Sequence, residues 1–152
     1  PHLLRDWLID AARARWPGRE VRVGALDEPP AVPWERAGAD GTHYVSFATW
    51  TCPINCIEPA VCPHTRGPRH WSLAPAITAW AGRRGAPAPG PFLFACTHRA
   101  YGVGMVDVRD VLAADAAIAA AGAGGAPLDV LVGTVSHCHG ALSRVVVAPA
   151  GG

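Results

Sequence analysis

Between Trp50 and Trp71 the chain carries Pro53, Pro59, Pro63 and Pro68. Proline fixes φ and offers no N–H, so neither a regular helix nor a central strand can run through this stretch. The folded body must be assembled from the segments on either side, with this one held as a loop. The same stretch puts Cys52, Cys56, Cys62 and His64 within thirteen residues, so that three of the five cysteines of the chain lie there. A long loop in a compact domain is either functional or disordered, and soft ligands at this density predict that a bound group holds it in place.

At 152 residues the chain is long enough for one domain with an ordinary core and too short for two. We therefore read residues 1–152 as a single domain with a Cys/Pro-rich insert at 51–71. A formal net charge of +1, with no Lys/Arg run and no basic stripe interleaved with aromatics, gives no case for a nucleic-acid partner. No apolar stretch reaches the roughly 20 residues that span a bilayer, so no membrane segment is expected. An odd number of cysteines in a domain that needs no covalent staples favours reduced thiols and a cytoplasmic setting. The expected partners are a small-molecule ligand and either a second copy of the chain or a segment upstream of Pro1 that completes the fold.

Along the chain, Leu4, Trp7, Leu8, Ala11 and Ala12 fall at helical spacing, and Pro17-Gly18 ends that helix. Residues 20–26 alternate as a strand; 31–41 reads as loop with Trp34 tucked inward; 44–50 reads as a second strand. Ser72 is placed to cap a helix carrying Leu73, Ile77 and Trp80. The runs 92–97 and 128–135 are continuously apolar, as strands covered on both faces are. Asp107 is placed to cap a helix between them, and 142–148 reads as a last strand at an edge.

Strands alternating with helices predict a three-layer α/β fold, a mainly parallel sheet with helices on both faces, Rossmann-like or flavodoxin-like. In such sheets ligands bind beyond the carboxyl ends of the strands. Three strands finish in Cys- or His-bearing segments: the Cys/Pro loop, Cys96-Thr97-His98, and His137-Cys138-His139. That common edge is the expected site.

The pattern C-x₃-C-x₅-C-x-H points to a transition metal, because thiolates are the softest protein ligands and several on one loop form a chelate for Zn²⁺ or an iron-sulfur cluster. The metal ligands expected are Cys52, Cys56 and Cys62, with His64, Cys138, His137 or His139 completing the shell. The pairs Cys52-Pro53 and Cys62-Pro63 resemble the proline after the last cysteine of ferredoxin-like loops and favour a cluster. The alternative is that these thiols are small buried hydrophobes or a disulfide. His98, His137 and His139 are the candidates for proton transfer, and on extended backbone His137 and His139 point the same way. Glu58 is a candidate general base, or an exposed carboxylate paired with Arg66 or Arg69.

The first 28 residues, helix then strand then Asp27-Glu28, resemble a Rossmann unit without its first strand and glycine-rich turn. The resemblance implies a (di)nucleotide-binding module, with NAD(P) as cofactor and Asp27 on a ribose. Independently of that resemblance, Arg99 is placed to hold a carboxylate or phosphate, and Gly102-x-Gly104 before a helix would let backbone N–H groups approach an anion. The expectation is thus a metal- or iron-sulfur-binding α/β domain, an oxidoreductase or hydrolase if the metal keeps an open position. The alternatives are the nucleotide module, in which the loop is structural, and redox sensing by the thiols without metal.

Overall fold

The computed structural model describes residues 2–85, 89–100 and 103–151. Its elements are α1 (Leu3–Arg15), β1 (Val21–Gly24), β2 (Trp34–Ala37), β3 (His43–Ser46), α2 (Leu73–Arg83), β4 (Phe92–Ala95), β5 (Thr97–Ala100), β6 (Val103–Met105), α3 (Val108–Gly122), β7 (Leu128–Val135) and β8 (His139–Val147). Six strands form one sheet in the order β2-β3-β8-β7-β4, with β1 also on β8, and β5 and β6 form a separate hairpin.

This is a mixed, largely antiparallel sheet with three helices, and it replaces the mainly parallel Rossmann-like or flavodoxin-like arrangement expected from the alternation. The pair β4–β7 is parallel, while β7–β8, β3–β8, β1–β8 and β2–β3 are antiparallel. The reason lies in a connection length. Only Ser136, His137 and Cys138 separate β7 from β8, and so short a link can close a hairpin but cannot make the crossover a parallel pair needs. The last strand accordingly begins at His139 and lies in the middle of the sheet, between β7 on one side and β3 and β1 on the other.

Alternation along β7 splits the core in two. Val130 and Val132 pack with Leu8, Ile9 and Ala12 of α1 and Val111, Ala114 and Ile118 of α3. Leu131 and Val135 pack with Leu73, Ile77 and Trp80 of α2. Gly140 permits that second contact, since a Cβ there would meet Val135, Val45 and Leu73 at 2.9, 3.2 and 3.3 Å.

Other local expectations change for identifiable reasons. The loop at 31–41 holds β2, which pairs with β3, and Trp34 is 39% exposed rather than tucked in. The second strand stops at Ser46, whose hydroxyl binds both the N–H and the carbonyl of Ala48 and turns the chain. Ser72 does not cap α2 with its side chain, because its Oγ lies 3.1 Å from His137 Nδ1. Asp107 does cap α3, accepting from the Arg109 N–H at 2.9 Å.

At the start of α1, His2 is buried with Nδ1 3.0 Å from Ser143 Oγ and Nε2 2.9 Å from Thr134 Oγ1. Burial, with the Arg5 charge adding to it, lowers its pKa from 6.5 to about 4. Between those values the unfolded chain takes up a proton that the folded one refuses. Its contribution is therefore complete above pH 6.5 and is lost as the pH falls toward 4, by at most about 3 kcal/mol. Urea titrations across this window should show the loss in the native chain and a flatter profile in His2→Asn; equal slopes would remove the assignment.

Candidate metal centre

The strand β3 runs antiparallel to β8, as does β7, and β4 runs parallel to β7. It follows that β3, β4 and β7 all run in one direction, even though β8 is inserted antiparallel among them. Their carboxyl ends share one edge of the sheet. The Cys/Pro loop leaves from beyond β3, Cys96 and His98 from β4, and Ser136 to Cys138 from β7.

Glu58 joins the first of these segments to the third. It is 8% exposed, and its Oε1 accepts the Ser136 hydroxyl at 2.6 Å. Its Oε2 accepts the backbone N–H groups of His137 at 2.7 Å and Cys138 at 3.2 Å. The residue sits at φ 54°, a left-handed conformation that a non-glycine residue adopts at a cost and that these bonds hold in place. Pairing with Arg66 or Arg69 is not what Glu58 does. Arg69 instead reaches the Trp71 carbonyl at 3.0 Å.

The loop is folded inside out relative to the usual hydrophobic rule. Ile54, Ile57 and Val61 are 76%, 55% and 58% exposed, while Cys62 and Glu58 are buried and Cys52 and Cys56 half-buried. Backbone bonds shape it locally, with Cys56 N–H to the Pro53 carbonyl at 2.9 Å, Arg66 N–H to Cys62 at 2.8 Å and Cys62 N–H to Gly67 at 2.9 Å. Aromatic contacts brace it at its ends, with Trp50 stacked on His64 and edge-on to Trp71.

Three of the sulfurs on this rim, those of Cys56, Cys62 and Cys138, are met by N–H groups. Trp71 Nε1 donates to Cys138 Sγ at 3.2 Å, and the Glu58 N–H to Cys56 Sγ at 3.4 Å. The Thr65 N–H above all, with the Thr65 hydroxyl and the His64 N–H, holds the Cys62 thiol below its usual pKa. Burial pushes Cys52 up, and the neighbouring charges of Cys56 and Cys62 act in the same direction. The Trp50 indole opposes them without reaching full hydrogen-bond geometry; its Nε1 is buried with no partner among the described residues. Burial carries Cys138 up to about 11, with the Trp71 N–H opposing and the charges of Glu58 and Cys52 adding.

A cavity of about 200 Å³ opens here, lined by Cys52, Cys56, Glu58, His98 and His139. Cys62 and Cys138 are buried outside that lining. Among the described residues no three Cys, His, Asp or Glu side chains close on one point as ligands of a single ion do. His64 stacks on Trp50 at 4.6 Å with an interplanar angle of 8°.

Of the histidines singled out for proton transfer, His98 and His139 border this cavity together. The backbone does not stay extended at 136–138, so His137 and His139 diverge: His137 turns to Ser72, and His139 Nδ1 lies 3.0 Å from Ser46 Oγ. Burial lowers the pKa of His139, with His98 adding to the effect and Glu58 opposing it. Cys96 Sγ lies 3.9 Å from His98 Nε2.

The residues assigned to a nucleotide are placed differently. Asp27 faces Arg144 at 3.5 Å beside Trp80 and Arg84, in a small cavity that shares no lining residue with the cysteines. Arg99 is exposed on β5, Gly104 lies on β6 against Cys96, and Gly102 falls outside the described residues. With β1 antiparallel to β8, the Rossmann unit that motivated the role of Asp27 is absent.

Sequence reasoning did not find the docking role of Glu58, the Ser136 that meets it 78 residues on, or the Trp71 donor to Cys138. No local signal ties Glu58 to Ser136; the indole of Trp71 offered at most its place at the end of the loop.

Fold and rim together define a small mixed α/β domain with a thiol-lined edge. The chain belongs to the AF_1314_C family, described as "Uncharacterized protein, C-terminal domain", whose sequence profile matches residues 4–148. No curated protein and no solved structure matches it. No helix among the described residues is long and apolar enough to cross a membrane.

Proposed function

We propose that this chain is a metal-binding domain in which Cys52, Cys56, Cys62 and Cys138 hold an iron-sulfur cluster at the carboxyl edge of β3, β4 and β7. The observation that carries the reading is the inverted loop. Three exposed large apolar side chains, Ile54, Ile57 and Val61, on a loop whose thiols turn inward fit a loop ordered by a group that those thiols bind. One feature favours a cluster over a single zinc ion: the space beside Cys52 and Cys56, about 200 Å³, is larger than a bare ion needs. N–H groups that meet the sulfurs of Cys56, Cys62 and Cys138 would stabilise thiolates on either metal and would tune the potential of a cluster.

The thiolates would bind the group, and Glu58 would keep the turn carrying Cys138 against the loop. The cluster would supply one-electron chemistry. His98 and His139, which line the cavity, would be the groups to hold or move a proton beside it.

Protein purified without air should be brown and contain iron and acid-labile sulfide, about four of each per chain. Colourless protein that binds neither iron nor zinc would contradict the proposal. Stoichiometric zinc without sulfide would retain the four thiolates and make the centre a closed structural one.

A further inference from the structure

The carboxyl edge of the sheet presents charge of one sign. Twelve acidic residues stand against thirteen arginines in the whole chain, yet between residues 41 and 106 Glu58 is the only acid. It is buried, with its oxygens on Ser136 and on the backbone of His137 and Cys138. Arg66 and Arg99 are exposed along this edge, and Arg69 is half-buried. Arg69 reaches backbone carbonyls, and none of the three forms an ion pair among the described residues; Arg5, Arg15, Arg84 and Arg144, elsewhere in the fold, all do.

The same edge leaves Ile54, Ile57 and Val61 in solvent within eight residues of chain. Large apolar side chains rimmed by charge mark a surface that another protein covers. Backbone geometry sets the cations beside them. The Val61–Pro68 bridge, the Arg69 N–H on the Ala60 carbonyl at 2.7 Å and the Arg66 N–H on the Cys62 carbonyl at 2.8 Å fold residues 60–69 into a turn with both arginines flanking Val61. Ile57 shares a recess with Thr97 and His98, so β5, with Arg99 on it, runs alongside. Ile57 and Val61 are also chain neighbours of Cys56 and Cys62, and a protein seated on them comes within the thickness of one loop of those sulfurs.

We propose that this edge docks a small acidic electron-carrier protein whose carboxylates ring an apolar patch. The reduced carrier gives up one electron, which the cluster takes, and no bond is made or broken. That the partner is a redox protein rests on the reading given above; its acidic, apolar-centred character follows from the edge itself. A nucleic acid would meet the three arginines but would leave the three aliphatic side chains in water.

Calorimetry of the metal-loaded protein with oxidised flavodoxin, a small acidic carrier, tests the surface. One-to-one binding is expected at about 0.02 M salt, at least about tenfold weaker at about 0.3 M. Arg66→Glu combined with Arg99→Glu should weaken it as much at low salt and flatten the salt dependence. Ile57→Ser combined with Val61→Ser, which stands in if the first variant does not fold, should weaken it at least about threefold and keep the salt dependence. Stopped-flow reduction then compares flavodoxin hydroquinone with the methyl viologen radical cation, a reductant of opposite charge. The double arginine reversal should slow the first at least about tenfold and leave the second no slower. No saturable flavodoxin binding, binding indifferent to salt and to both double variants, or a DNA duplex bound as tightly as flavodoxin would overturn the proposal. Iron measured in the same samples keeps the two readings apart: flavodoxin bound by iron-free protein defeats the cluster alone, and iron-loaded protein that viologen reduces but flavodoxin does not bind defeats the docking surface alone.

Discussion

A Cys56→Ser protein is expected to lose most of its metal, and with it on the order of 10 °C in melting temperature. Metal-binding free energy in such a site is folding free energy, and for a domain of this size each kcal/mol moves the midpoint by a few degrees. The metal-free proteins give the sharper comparison. Without metal, Cys56 accepts one long N–H contact at 3.4 Å and is only half-buried, so apo wild type and apo variant should melt within a degree or two of each other. Calorimetric scans with and without chelator read both numbers. A variant that melts low in both states would mean that Cys56 is a packing residue.

Glu58→Ala should be the most damaging single change outside the cysteines. It removes the acceptor for the Ser136 hydroxyl and leaves the N–H groups of His137 and Cys138 without their partner beneath the loop. Charge-assisted bonds of this kind contribute roughly 1.5–3 kcal/mol each, and orphaned buried donors cost a similar amount. Allowing for water reaching the opened site, about 3 kcal/mol is expected in urea unfolding, with metal lost as the loop swings away from Cys138. Glu58→Gln keeps the shape and one oxygen acceptor, so it should cost less than half as much. A Glu58→Ala protein within about 0.5 kcal/mol of wild type would show that the carboxylate does not dock the loop.

Local pattern made much of the secondary structure legible. The helices at Leu3–Arg15, Leu73–Arg83 and Val108–Gly122 carry apolar residues at helical spacing, and the run Leu128–Val135 is covered on both faces as its continuous apolarity implies. What misled was strand direction, because alternating elements say nothing about it when a three-residue link can fold back. Residues 136–138 held that information, but their histidines and cysteine drew a chemical reading before a geometric one. The polar contacts were illegible for a different reason. Glu58 and Ser136 meet across 78 residues, and a lone carboxylate in a proline-rich loop has the same local signature whether it faces solvent or staples two segments together.

The proposed ligation of a cluster by Cys52, Cys56, Cys62 and Cys138 is tested most directly by iron K-edge X-ray absorption on anaerobically prepared protein. A first shell of sulfur alone, with iron–iron scattering behind it, and the loss of both in the Cys138→Ser protein, is the predicted result. A first shell dominated by nitrogen or oxygen, or a spectrum that Cys138→Ser leaves unchanged, would contradict it.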